Sequence, residues 1–124
     1  MDKTRVLGDF ALKVTSMTFR PGPGASVLIE CNCEGTAAGF GLTCGTMTVC
    51  GAGQKSGTWS WCACAYPEDG NNVTGSGTGG FLHTGGDCWR MTGLLTVSDG
   101  RSCMVEGDFL LGQRSWTGQL FERS

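Results

Sequence analysis

The chain has 124 residues, of which 40% are hydrophobic, so residues 1–124 are predicted to form one domain with a core of its own. Nine Lys and Arg against 11 Asp and Glu give a net charge of −2 without a basic cluster, which argues against nucleic-acid binding. Neither a secretory signal nor a run of about 20 apolar residues is visible. We therefore expect a cytoplasmic protein that has no membrane partner.

The 22 glycines follow no Gly-X-Y period, and 4 Trp and 6 Phe accompany them, so collagen and disorder both fit poorly. Glycine at this density, mixed with Thr, Ser and Val, is typical of short strands joined by tight turns.

In the first half of the chain, apolar and polar residues alternate with a period of two. This predicts a first strand over residues 10–19, ended by the Pro-Gly-Pro-Gly run at 21–24, and a second over 26–34. Phe40, Leu42 and Cys44 continue the pattern, but Met47 and Val49 have the opposite parity. That change predicts a bulge or a corner at Cys44-Gly45.

A strand over residues 58–66 has Trp59, Trp61, Ala63 and Ala65 on one face, and the Pro-Glu-Asp-Gly-Asn-Asn run at 67–72 predicts a turn. Further strands are predicted over 73–82, 88–97, 102–111 and 115–122, with the sharpest hairpin signal at residues 98–101. About eight strands in hairpin succession predict an all-β fold, a single antiparallel up-and-down β-barrel.

The order of motifs in the second half carries a family resemblance. A Gly-Ser-Gly-Thr-Gly-Gly run at 75–80 is followed by Gly85-Gly86, Trp-Arg-Met-Thr-Gly at 89–93, Glu-Gly-Asp-Phe at 106–109 and Gly-Gln-Leu-Phe-Glu at 118–122. This order resembles the small β-barrels of the allene oxide cyclase and dirigent type. The resemblance implies an apolar pocket for a hydrophobic small molecule, and some members guide cyclisation or coupling. It carries over no catalytic residue.

Eight cysteines include two Cys-x-Cys pairs, at 31 and 33 and at 62 and 64. Residues two apart on a strand lie about 6.5 Å apart, too far for neighbouring ligands of one tetrahedral ion. We expect no metal, no cofactor, and reduced cysteines that fill the core, with disulfide bonds as the alternative. The glycine run at 75–80 lacks the Lys-Ser/Thr of a phosphate-binding loop.

Four residues are candidates for a catalytic role. His83 is the single histidine and is flanked by glycines, which also suits a solvated turn residue. Arg90 could hold an anionic ligand if it faces inward. Glu106 and Asp108 share one face of a strand and could act as a general acid and base, or form a solvated ladder with an arginine.

The leading hypothesis is a barrel that binds an apolar small molecule in a tryptophan-lined pocket. The residues predicted to contact this ligand are Trp59, Trp61, Trp89, Met91, Phe40 and Phe109, with Val27, Ile29, Leu42 and Val105 completing the lining. The glycines at 75–80 and Gly93 should leave the space opposite the tryptophans hollow. The alternatives are a cyclase or isomerase that acts on a hydrophobic substrate inside the barrel, and a structural protein that forms homodimers or larger homo-oligomers.

Overall fold

The computed structural model of the protein describes residues 5–123 and contains eight strands: β1 (Arg5–Pro21), β2 (Val27–Ala37), β3 (Gly41–Ala52), β4 (Ser56–Tyr66), β5 (Val73–Gly85), β6 (Cys88–Val97), β7 (Ser102–Leu110) and β8 (Ser115–Glu122). Each strand pairs antiparallel with the next, and β8 pairs with β1 to close the barrel. The predicted all-β, up-and-down barrel is confirmed. Residues 5–123 form no helix with the length and apolar character of a membrane span.

Alternation along β4 shows why these sequences form barrel strands. Trp59, Trp61, Ala63 and Ala65 are buried, whereas Ser60, Cys62 and Cys64 between them are exposed. Successive side chains of a strand point to opposite faces, so this pattern gives one apolar inner face and one polar outer face. β7 follows the same rule, with Cys103, Val105 and Phe109 inside.

The predicted phase change in β3 is wrong. The pairing of β3 with β4 runs without interruption from Leu42 opposite Tyr66 to Cys50 opposite Thr58. Met47 and Val49 face the interior, so Leu42 lies on the outer face with 51% exposure and is no part of the lining. Phe40 is buried because it belongs to the turn before the strand, where Gly39 and Gly41 have positive φ values of 83° and 76°.

β1 is longer than predicted and contains two irregularities, one between Val6 and Gly8 and one between Val14 and Ser16. The second inserts an extra residue, so Met17, which strict alternation would place on the face opposite to Val14, packs against the core with it. Such bulges let a long strand bend around a small barrel.

Tryptophan rings meet at the centre of the barrel. The Trp116 indole contacts Phe10, Trp59 and Trp61 edge to face, with ring centroids 5.3, 5.4 and 5.3 Å apart. Edge-to-face pairs are a favoured arrangement of aromatic rings because the positive edge of one meets the negative face of the other. This cluster joins β1, β4 and β8 across the interior.

The space over the paired glycines Gly79 and Gly93 is filled, contrary to the prediction of a hollow there. A methyl group added at Gly79 or Gly93 would lie 2.7 or 2.5 Å from the Trp59 indole. The Trp59 Nε1–H donates hydrogen bonds to the carbonyl oxygens of Gly80, at 3.0 Å, and Thr92, at 3.2 Å. The glycines thus make room for a packed tryptophan rather than for a ligand.

Candidate functional site

A cavity of about 60 Å³ lies inside the barrel, toward the end formed by the turns at 38–40, 67–72 and 98–101. Small residues on neighbouring strands create it. Ala63 and Ala65 of β4 and Gly75 of β5 continue the inner face beyond Trp61 without its bulk. A methyl group added at Gly75 would have only the Thr96 carbonyl oxygen near it, at 3.6 Å.

Apolar side chains make up most of the cavity wall. Its lining residues are Phe10, Leu12, Ala37, Phe40, Thr43, Trp61, Ala63, Cys64, Ala65, Val73, Thr74, Gly75, Leu95, Val97, Val105, Trp116 and Leu120. None of these carries a carboxylate, imidazole, ammonium or guanidinium group. A wall of this kind suits an apolar molecule.

Trp116 brings a buried polar group to the wall. Its side chain is 2% exposed, and among the residues that the structure describes its Nε1–H is the buried side-chain polar group that has no hydrogen-bond partner. Three aromatic rings surround the indole, and a contact with a ring face replaces a hydrogen bond only weakly. A buried donor without an acceptor costs about 1–3 kcal/mol, which an acceptor on a ligand would recover.

Thr43 brings a second polar group to the wall. It is 7% exposed, and its hydroxyl donates a hydrogen bond to the Gly41 carbonyl oxygen at 3.2 Å. A hydroxyl that donates one hydrogen bond keeps its lone pairs as acceptors. The Trp116 N–H and the Thr43 hydroxyl therefore offer a donor and an acceptor in a largely apolar wall, to which Thr74 and Cys64 also belong.

Phe40 and Arg101 cover this end of the barrel. The Arg101 guanidinium lies 4.1 Å from the centre of the Phe40 ring and donates to the Gly39 carbonyl oxygen at 3.3 Å. Asp99 holds the guanidinium through a hydrogen bond of 2.9 Å to Nε, and Arg101 in turn lowers the pKa of the Asp99 carboxyl. We call this arrangement of Phe40, Arg101 and Asp99 the latch.

The six predicted ligand contacts fall into two groups. Phe40 and Trp61 line the cavity, whereas Trp59, Met91 and Phe109 are buried in other parts of the core. Trp89 is partly buried, with its ring 5.5 Å from that of His83 and 6.0 Å from that of Phe109.

The four catalytic candidates lie outside the barrel. Arg90 faces Asp108 at 3.4 Å and Glu106 at 3.7 Å on the outer surface, which is the solvated ladder left open above. His83 is exposed, and its Nε2 lies 2.7 Å from the Gly86 carbonyl oxygen. None of the four lines the cavity.

The cysteines divide between the two faces of the barrel. Cys31, Cys33 and Cys103 are buried, as predicted, but Cys44, Cys62 and Cys64 are exposed on the outer face, so for these three the prediction of core filling is wrong. Burial raises the pKa of the Cys31 thiol to about 11 and that of Cys33 to about 12. All eight are free thiols, and no group of three or more metal-binding side chains occurs within residues 5–123.

Trp116 and Thr43 line the cavity without having been predicted to do so, whereas Gly75 belongs to the glycine run that was predicted to border a hollow. A signal for Trp116 existed, since alternation over residues 115–122 puts it on one face with Gly118 and Leu120. Thr43 was not identified because the predicted alternation of β3 placed Leu42 and Cys44, rather than Thr43, on the inner face.

A scan against protein-family models and searches of curated proteins and of solved structures found no match to this chain. The likeness to the allene oxide cyclase and dirigent barrels stays a prediction drawn from the motifs of the second half.

Proposed function

We propose that the protein binds a small apolar molecule that carries one hydrogen-bond acceptor. The observation that carries this proposal is the buried, unpaired Nε1–H of Trp116 in the wall of an apolar cavity. A carbonyl or ether oxygen on the ligand would accept from this group, while the rest of the molecule replaces empty space against apolar side chains.

The volume of the cavity limits the ligand. At about 60 Å³ it is well below the roughly 150 Å³ of a known apolar cavity that binds benzene. Ligands the size of a short ketone fit the closed barrel. A longer molecule would have to displace Phe40 and extend between the turns at the same end, where Asn71, Asn72 and Arg101 line a polar surface pocket.

The chemistry of the wall favours binding over catalysis. Acid–base catalysis needs a titratable group within hydrogen-bond reach of the reacting atoms. Arg90, Glu106, Asp108 and His83 are all on the outer surface. A cyclase or isomerase acting in this cavity would have to work without these four residues.

The test is a titration of the protein with butanone, followed by tryptophan fluorescence, and a parallel measurement of xenon binding by nuclear magnetic resonance. Xenon occupies apolar cavities without hydrogen bonding. Butanone should change the fluorescence saturably. Trp116→Phe, which keeps a ring but removes the N–H, should weaken butanone binding about fivefold or more, as expected for one lost hydrogen bond, and still bind xenon.

Two glycine variants provide the matched comparison. Gly75→Val fills the cavity and should abolish the binding of both probes. Gly80→Val lies on the same strand but on the outer face, opposite Thr58 and Thr92, and should leave both unchanged. Equal butanone affinities for the wild type, Trp116→Phe and Gly75→Val would contradict the proposal.

A further inference from the structure

An exposed pair of thiols lies directly across two neighbouring strands. The register of β3 and β4 places Cys44 opposite Cys64, and both side chains are exposed on the outer face. Opposed residues of antiparallel strands have Cα atoms about 4.5–5.5 Å apart, within the range of about 4.4–6.8 Å that disulfides span. The two sulfurs can therefore bond after side-chain rotation and a small approach of the strands.

The third exposed cysteine, Cys62, has no thiol opposite it. It lies across from Thr46 of β3 and Ser76 of β5, and it is diagonal to Cys44, where side chains are about 7–8 Å apart. The buried thiols are poor competitors. Burial keeps Cys31 and Cys33 protonated, and the thiolate is the reactive form.

Tyr66 adds a polar neighbour to this pair. Interaction with the Cys64 side chain is the main cause of a raised pKa of the Tyr66 phenol, and Cys44 also contributes. A phenol that stays protonated can donate to a sulfur that becomes negative during reaction. Cys64 is therefore the better placed of the two to attack first.

We propose that Cys44 and Cys64 form a redox-active dithiol that low-molecular-weight disulfides close reversibly into a disulfide bond. The Cys64 thiolate attacks one sulfur of oxidised glutathione, the S–S bond breaks, and one glutathione leaves as a thiolate that takes a proton. The Cys44 thiolate, its proton lost to solvent, then attacks the Cys64 sulfur and expels the second glutathione. The protein dithiol is oxidised and one glutathione disulfide is reduced to two thiols.

The bond would join the two strands that form one wall of the cavity. Thr43 lies opposite Ala65, and Gly45 opposite Ala63, so the thiol pair lies between two pairs whose side chains face inward. Thr43, Ala63 and Ala65 line the cavity. The dithiol does not depend on a ligand, and its test is independent of the proposed binding function.

The experiment exposes the reduced native protein to oxidised glutathione, blocks the remaining thiols in denaturant, and maps the products by peptide mass spectrometry. The wild type should lose two hydrogen atoms at a Cys44–Cys64 bridge, and excess reduced glutathione should restore both thiols. Cys44→Ser should carry a stable glutathione adduct on Cys64. The matched control Cys62→Ser should form the bridge as the wild type does.

Circular dichroism of each variant establishes that the barrel is intact, and substitution of these exposed residues should leave it so. Stable glutathione adducts on Cys44 or Cys64 of the wild type without a bridge would overturn the proposal. It would equally be overturned by a bridge between other cysteines, or by modification of Cys62 while Cys44 and Cys64 stay reduced.

Discussion

At the scale of single residues, the packing of the core requires glycine wherever an aromatic ring lies directly on the backbone. Trp59 lies against the backbone of Gly79 and Gly93, and its indole N–H is satisfied by carbonyl oxygens of β5 and β6. The Trp59 ring occupies the space that side chains of β5 and β6 would fill if residues 79 and 93 were not glycines. The position is therefore sensitive to one added carbon atom.

Gly93→Ala should destabilise the protein by roughly 1–3 kcal/mol, the range for overpacked cores. The added methyl would lie 2.5 Å from the Trp59 ring and against the Thr78 backbone oxygen, neither of which can move freely. Urea unfolding measures the loss. Gly80→Ala, whose methyl would meet only the Gly57 carbonyl oxygen at 3.5 Å, serves as the control and should change stability by less than about 0.5 kcal/mol.

The buried thiols predict a loss of stability at alkaline pH. The Cys33 pKa rises from 9.0 in the unfolded chain to about 12 in the folded one. Between these values the unfolded state releases the proton and the folded state keeps it. Stability is therefore complete below pH 9 and falls as pH rises, by up to about 1.4 kcal/mol per pH unit for one such thiol.

Urea unfolding at pH 8 and pH 10 compares the wild type with Cys33→Ala. The variant loses packing at both pH values, so the informative quantity is the difference between the two pH values within each protein. That difference should be smaller in Cys33→Ala. If both proteins lose the same amount of stability between pH 8 and pH 10, groups other than Cys33 cause the loss.

At the scale of elements, alternation predicted the strands well and their irregularities poorly. The inner face of β4 followed from Trp59, Trp61, Ala63 and Ala65, because period-two burial is a local property of the chain. The bulge after Val14 and the true phase of β3 did not follow. Both depend on how the strand pairs with its neighbour. In addition, Phe40 is a buried turn residue, and in the sequence it could not be distinguished from a buried strand residue.

A hollow was predicted opposite the tryptophans from the glycines at 75–80 and Gly93, and only part of it exists. Small residues such as Gly79 and Gly75 look alike in the sequence, but the first is covered by Trp59 and the second is not. Which glycine faces a large ring depends on the stagger of strands around the whole barrel. Sequence patterns predict which residues of a strand face inward, but not which inward-facing residues of different strands lie at the same level along the barrel axis.

The latch connects the turn before β3 with the hairpin between β6 and β7. Arg101→Gln removes the guanidinium from Phe40 and from Asp99 and should cost about 1 kcal/mol, as expected for a stacked and hydrogen-bonded cation. Hydrogen exchange at the Phe40 amide, which donates to the Ala37 carbonyl oxygen at 2.9 Å, should become faster.

Arg90→Gln is the matched control for the latch. It removes exposed ion pairs of 3.4 and 3.7 Å on the outer face, where such contacts contribute about 0–1 kcal/mol. Its effect on exchange at Phe40 should be absent. If Arg101→Gln leaves that exchange unchanged, Phe40 is held by the core alone.

At the scale of the whole molecule, the strands form a ring in which seven pairings join neighbours along the chain and one joins β1 to β8. That last pairing sets Arg5 opposite Glu122, which also form an ion pair. The sheet closes on itself, but β1 extends past both neighbours: its residues 16–21 pair with β2 alone, and its residues 5–9 pair with β8 alone.

The pairing of β1 with β8 is the seam of the barrel, and it gives the chain a kinetic asymmetry that the finished ring does not show. Seven hairpins close over short loops. The seam joins residues that are separated by nearly the whole length of the chain, so its formation has a larger entropic cost. Zipping should therefore run from hairpin to hairpin and reach the seam last. A circularly permuted chain, joined across β8 and β1 and opened at the turn around Gly70, would keep every pairing and move the seam to β4 and β5.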